Sequence, residues 1–141
     1  MLILFYLFYV ELVTAIQIRD CGSVKTDAVE SVTIDGCAQE PCVLQAGGPI
    51  KVKITFTSPL DMTKPKSRFL YYSAAKSTSP EREDNWGIAC NSEEEKCFKL
   101  DSTYNFKVES SLPNEKYGGM AWQLLNQNKI VLCVRWAIQI K

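Results

Sequence analysis

Apolar and polar side chains alternate with a period of two along much of this chain, most plainly at its C-terminal end. Ile130, Leu132, Val134, Trp136, Ile138 and Ile140 fall on one side of an extended backbone, and Lys129, Val131, Cys133, Arg135, Ala137, Gln139 and Lys141 on the other. Such a segment is a strand with one buried face. Ile50, Val52, Ile54 and Phe56 alternate with Lys51, Lys53, Thr55 and Thr57 in the same way, so the outer face of that sheet is wet. Residues 29–34, 68–74 and 104–110 give shorter versions of the pattern, and residues 118–125 a weaker one.

Turn-forming clusters separate these runs: Asp35-Gly36, Gly47-Gly48-Pro49, Ser58-Pro59, residues 76–83, Leu112-Pro113-Asn114 and Asn126-Gln127-Asn128. No long window keeps a helical period, and there is no internal repeat. Short strands at fairly regular spacing predict an all-β protein, an antiparallel β-sandwich of two sheets, with a closed barrel as the structural rival. At 141 residues the chain makes one domain, which buries roughly two-thirds of the surface its unfolded form exposes.

Residues 1–10 are almost wholly apolar, Glu11 ends the run, and Val13-Thr14-Ala15 supplies small residues at the spacing a signal peptidase reads. The sequence thus predicts a signal peptide over residues 1–15 and a mature domain over 16–141. The apolar run is about half of the roughly 20 residues a membrane span needs. Loss of Glu11 with the leader leaves 16 cationic against 15 acidic residues. That near-neutral balance, without a basic stripe, argues against a nucleic-acid partner.

Six cysteines behind a leader read as a three-bridge framework, for which fifteen pairings are possible. Cys37 and Cys42 can close one local loop and Cys90 and Cys97 another, which leaves Cys21 with Cys133. Their spacing does not suit zinc, and the chain has no histidine. No metal or cofactor is expected. The missing histidine also removes the usual general base near neutral pH. Glu81, Glu83 and Asp84 sit beside Ser and Pro and read as a solvated loop rather than a catalytic carboxylate pair; Gly47-Gly48-Pro49 lacks a phosphate-loop lysine. The sequence therefore assigns no catalytic residue. It does hold many large aromatics, among them Trp86, Trp122, Trp136, Tyr71, Tyr72, Tyr117, Phe56 and Phe69, which pattern alone leaves open between ordinary core and the lining of a cavity.

Asp20-Cys21-Gly22-Ser23, Val32-Thr33-Ile34-Asp35-Gly36-Cys37, Glu40-Pro41-Cys42-Val43-Leu44 and Ile54-Thr55-Phe56-Thr57-Ser58 stand in an order that resembles the opening of a Niemann-Pick type C2 protein. Cys90 and Cys97, Leu112-Pro113, Trp122-Gln123-Leu124 and Leu132-Cys133 extend the likeness over nearly all of the mature chain. On these residues the chain is similar to the ML-domain (MD-2-related lipid-recognition) family. The resemblance implies an immunoglobulin-like sandwich with bridges Cys21–Cys133, Cys37–Cys42 and Cys90–Cys97, carrying a sterol, fatty acid or related lipid between its sheets. It implies a lipid-binding wall of Ile34, Ile50, Val52, Ile54, Phe56, Trp86, Leu112, Pro113, Tyr117, Trp122, Val134, Trp136 and Ile138. Ser79 to Trp86 stand where sterol carriers have a Pro- and Phe-rich segment, with Trp86 and Ile88 in the Phe role. Asn114 replaces an apolar residue after Leu-Pro, and Ala46 a basic one.

The expected protein is a secreted, monomeric carrier that hands its hydrophobic ligand to a membrane or receptor protein. A semiochemical carrier on the same fold is one alternative. Innate-immune recognition of microbial lipids is another and would use a basic rim, for which Lys64, Lys66 and Arg68 are the obvious cluster. An adhesion domain with a filled core is the third. No Asn-x-Ser/Thr acceptor is present, which favours extracellular fluid over the lysosomal lumen.

Overall fold

The computed structural model describes residues 15–37, 39–90 and 97–141, with the backbone alone at Asn85, Trp86 and Ile88. The expected leader lies outside the described residues but for Ala15. Nine strands and no helix occur among the described residues: β1 (Arg19–Asp20), β2 (Val29–Ile34), β3 (Cys42–Leu44), β4 (Pro49–Thr57), β5 (Lys66–Tyr72), β6 (Arg82–Ile88), β7 (Thr103–Ser111), β8 (Gly119–Asn126) and β9 (Lys129–Ile140). They form an immunoglobulin-like sandwich. One sheet runs β1-β9-β8-β5-β6, with β3 also on β9, and the other runs β2-β4-β7. All pairs are antiparallel except β3 with β9.

The period-two pattern sets the layers. Ile50, Val52, Ile54 and Phe56 are buried while Lys51 and Lys53 are exposed, so β4 turns one face inward. In the facing sheet Phe69 pairs across Trp122 to Val134, and Tyr71 across Met120 to Trp136. Residues directly opposite share a face, so each trio forms one inward row. Substantial backbone contact runs only within each sheet, and the two sheets meet through side chains.

Three elements depart from the sequence reading. β6 contains the segment expected as a solvated loop: Arg82, Glu83 and Asp84 pair in register with Tyr71, Leu70 and Phe69. A charged strand is stable there because it lies at a sheet edge, where charges also discourage pairing with a second molecule. At the other end, a bulge in the β8–β9 ladder shifts the register at Leu125. Ile130 is consequently 37% exposed and Val131 joins the core instead. Lastly, Cys133, Gln123, Tyr72 and Leu70 on the outer side of the large sheet are buried as well, since the chain around Cys21 to Val24 and around Ala74 to Ser77 folds over them. The Arg135 guanidinium sits 3.8 Å from the Tyr72 ring centre and donates to the carbonyls of Ala75 and Ser77, each at 2.9 Å.

All six cysteines pair as expected: Cys21–Cys133, Cys37–Cys42 and Cys90–Cys97. One lateral side of the sandwich is sealed by covalent and main-chain links. Cys37, just past β2, is tied to Cys42 on β3, and Ile16 bonds to Val32 before the chain crosses to β1 on the other sheet. The opposite side lies between edge strands β6 and β7.

The β8–β9 hairpin closes through Gln127 and Asn128 alone, with φ of 52° and 63°. Two successive left-handed residues make the turn that suits strand twist, and non-glycine residues are strained there. Gln127→Gly should therefore raise stability, by about 0.5 kcal/mol after its extra unfolded-state entropy, seen as a higher urea midpoint with an unchanged slope.

Candidate functional site

The interior has two unlike ends. Near Thr57, aromatic rings fill the space between the sheets: Phe56 lies 5.9 Å from Trp122 and 5.1 Å from Phe98, and Phe106 lies 5.8 Å from Trp122. Trp122 is locked further by its Nε1–H, which donates to the buried Ser67 hydroxyl at 2.8 Å. The bridge of Met62 with Phe98 closes this end. Toward Pro49 the inward groups become mostly aliphatic: Ile34, Ile50, Leu112, Ile138 and Ile140.

At that second end the interior approaches the surface. A depression of about 580 Å³ lies between Ser73, Lys116 and Tyr117 and the last residues of β9, and it reaches Ile138 and Ile140. Tyr117 is placed by the β7–β8 connection. Leu112 N–H donates to the Gly48 carbonyl at 2.8 Å, Gly47 N–H to Pro113 at 3.2 Å, and Gly118 N–H to Tyr72 at 2.9 Å. Gly47 has φ +69°, a left-handed conformation that favours glycine at this contact.

A charged strap spans the β6 side of this end. Arg82 Nε donates to Asp84 at 3.0 Å and Arg82 Nη1 to Glu115 at 3.3 Å, joining β6 to the β7–β8 connection. The bond to Asp84 pushes the Arg82 guanidinium further toward its charged form. Beneath it, the Tyr71 ring lies 5.4 Å from that of Tyr117. Burial, and next the Asp84 carboxylate, push the Tyr71 phenol far above the usual tyrosine range. Burial and Glu115 raise Tyr117 as well.

The residues expected to line a cavity are gathered in one interior. Ile34, Ile50, Val52, Ile54, Phe56, Leu112, Pro113, Tyr117, Trp122, Val134, Trp136 and Ile138 are all buried. Ile54, Phe56 and Trp122 lie toward the aromatic end, and Ile50, Leu112, Tyr117 and Ile138 toward the depression. The Trp86 and Ile88 side chains lie outside the described residues. Sequence reasoning placed Ile140 on the buried face of its strand but not in the site, did not single out Met120, Arg82 or Glu115, and assigned Tyr71 no side. Of the basic cluster, Arg68 is engaged by Gln123 at 2.7 Å and Glu83 at 3.0 Å on the outer face. A separate groove of about 390 Å³ on the solvent face of β4 and β7 is bordered by Lys51, Lys53, Lys107 and Glu109.

Two sheets closed at one end by stacked rings and approached from the other beside Tyr117 define a disulfide-linked sandwich with an apolar interior. The sequence pattern of the ML domain (E1_DerP2_DerF2) matches residues 15–140, and the chain belongs to the ML-domain family. Its fold is similar to that of a Niemann-Pick type C2 protein from the Japanese carpenter ant, with 18% identity, a TM-score of 0.69, and coverage of 89% of this chain and 99% of that one. A looser likeness, with a TM-score of 0.46 and 9% identity over 87% of this chain and 96% of the other, is to chicken MD-1 complexed with lipid IVa.

Proposed function

We propose that this protein is a secreted carrier that takes up a hydrophobic lipid beside Tyr117 and holds it between the two sheets, without covalent chemistry. The observation that carries this reading is the continuous apolar interior, which reaches the surface at Tyr117, Ile138 and Ile140. Membership of the ML-domain family and likeness to the ant protein support it. Because the sheets meet through side chains, they can part to admit a ligand without breaking a ladder hydrogen bond. Burial of about 400 Å² of apolar ligand surface supplies roughly 10 kcal/mol before association costs.

The leader expected from the sequence and the three disulfides support export to extracellular fluid. Tyr117→Ala should weaken binding of the uncharged fluorescent probe N-phenyl-1-naphthylamine about tenfold, as loss of a buried aromatic contact predicts, while the far-ultraviolet circular dichroism stays unchanged. Uptake equal to that of the wild type would show that ligand does not pass or rest beside Tyr117.

A further inference from the structure

Two polar groups inside the apolar interior stand without a hydrogen-bond partner among the described residues. They are the Tyr71 hydroxyl and the Trp136 Nε1–H, on residues 0% and 2% exposed. Trp122, one row away, shows the contrast, for its indole N–H is satisfied by Ser67. Both unpartnered groups belong to the same inward row, Tyr71–Met120–Trp136, so their Cα atoms stand about two strand spacings, or roughly 10 Å, apart. That row lies between the Trp122 ring cluster and the entrance at Tyr117, whose ring touches that of Tyr71. A buried donor without a partner is costly to the fold, and tyrosine and tryptophan in interiors normally find one.

Resting on the carrier reading above, we propose that Tyr71 and Trp136 form an internal polar station that receives one uncharged oxygen of the ligand, so that the protein selects alcohols, ketones or esters of long-chain lipids over plain hydrocarbons and over carboxylates. Indole N–H can only donate and phenol O–H can donate or accept, so a carbonyl or hydroxyl oxygen has the chemistry to partner either group, and would satisfy both where it lies over Met120 between them. An anion is disfavoured. Burial already resists ionisation of Tyr71 itself; Arg82, opposite Tyr71 on β6, is paired with Asp84 and Glu115, and the exposed Lys116 and Lys141 border the outer depression. A carboxylate placed in this row would be a buried charge without a counter-ion. The ligand's polar atom would therefore lie inside the sandwich, with its chain running along Ile34, Ile50 and Ile138.

Displacement of N-phenyl-1-naphthylamine by hexadecane, 1-hexadecanol, 2-hexadecanone and hexadecanoate tests this on wild-type protein, Tyr71→Phe and Trp136→Phe. In the wild type the ketone and alcohol should compete at least about tenfold better than the alkane, the value of one or two satisfied buried hydrogen bonds. Tyr71→Phe should cut that preference about five- to tenfold and leave the alkane unchanged. It should also leave the ligand-free melting temperature equal or higher, because the hydroxyl it removes bonds to nothing in the fold. A merely structural tyrosine would behave oppositely, with a lower melting temperature and an unaltered ligand preference. Trp136→Phe should lower the oxygen preference too. Equal binding of alkane and ketone by the wild type, or tightest binding of hexadecanoate, would overturn the station while leaving the carrier reading intact. If no member of the series displaces the probe, both fall together.

Discussion

Trp122→Ala should cost this domain about 3–5 kcal/mol, the usual range for truncating a fully buried tryptophan. Trp122 is wholly buried, and its indole is in ring contact with both Phe56 and Phe106 of the opposite sheet. Its removal also strands the Ser67 hydroxyl, which is itself buried and whose one hydrogen bond among the described contacts is the one it accepts from the Trp122 N–H; an unpaired buried hydroxyl accounts for about 1–3 kcal/mol of that cost. Against a typical stability of roughly 5–15 kcal/mol, the variant should unfold at a much lower urea concentration. Trp122→Phe separates the two causes. It keeps most of the ring packing and loses the bond, so it should cost about half as much.

The same variant bears on function. A hole opened beside Phe56 and Phe106 lies at the inner end of the apolar interior, where a longer ligand can reach. Bound ligand stabilises by mass action, about 2.7 kcal/mol at a hundredfold excess over its dissociation constant. Lipid that wild-type protein accepts should thus restore part of the stability lost in Trp122→Ala, and by more than it adds to the wild type. Urea midpoints with and without lipid measure both quantities. An equal increment in the two proteins would place the ligand away from the Trp122 cluster.

How far the chain discloses itself in advance depends on which faces are wet. β4 and most of β9 were legible because one face meets water and the other the core, which writes the period into the sequence: Lys51 and Lys53 against Val52 and Ile54. β5 was harder. Phe69, Leu70, Tyr71 and Tyr72 are all buried, since the segment around Ala75 and Ser77 covers the outer face, so alternation vanishes and Tyr71 could not be assigned to a side. β6 was hidden for the opposite reason. Its inward row begins with Arg82 and Asp84, and charges on an edge strand look like a loop. The lining residues Tyr117 and Ile138 were reachable through family resemblance. The strap from Arg82 to Glu115 was not, because it joins positions far apart in sequence through a strand that composition conceals.

The bridge expected to matter most is Cys21–Cys133, and loop length is the reason. It spans 112 residues, against 5 for Cys37–Cys42 and 7 for Cys90–Cys97. In the chain-entropy description the long closure restricts the unfolded chain by about 5 kcal/mol and each short one by roughly 2. The native side of the comparison points the same way. Cys21 N–H bonds to the Cys133 carbonyl at 2.9 Å, Val24 N–H to Val131 at 2.9 Å, and the Ser23 hydroxyl accepts from Cys133 N–H at 2.9 Å. Without the sulfur link, the segment that covers the outer face of β9 is held by these bonds and by the two-residue pairing of β1 with β9. Cys21→Ala/Cys133→Ala should therefore lose about 4–5 kcal/mol, and Cys37→Ala/Cys42→Ala about half of that, compared as urea midpoints at constant slope. Neither Cys21 nor Cys133 belongs to the interior cluster between the sheets, so the part of the first variant that remains folded should bind lipid with wild-type affinity. A variant that kept its stability and lost its ligand would mean that the N-terminal segment, and not the interior, governs uptake.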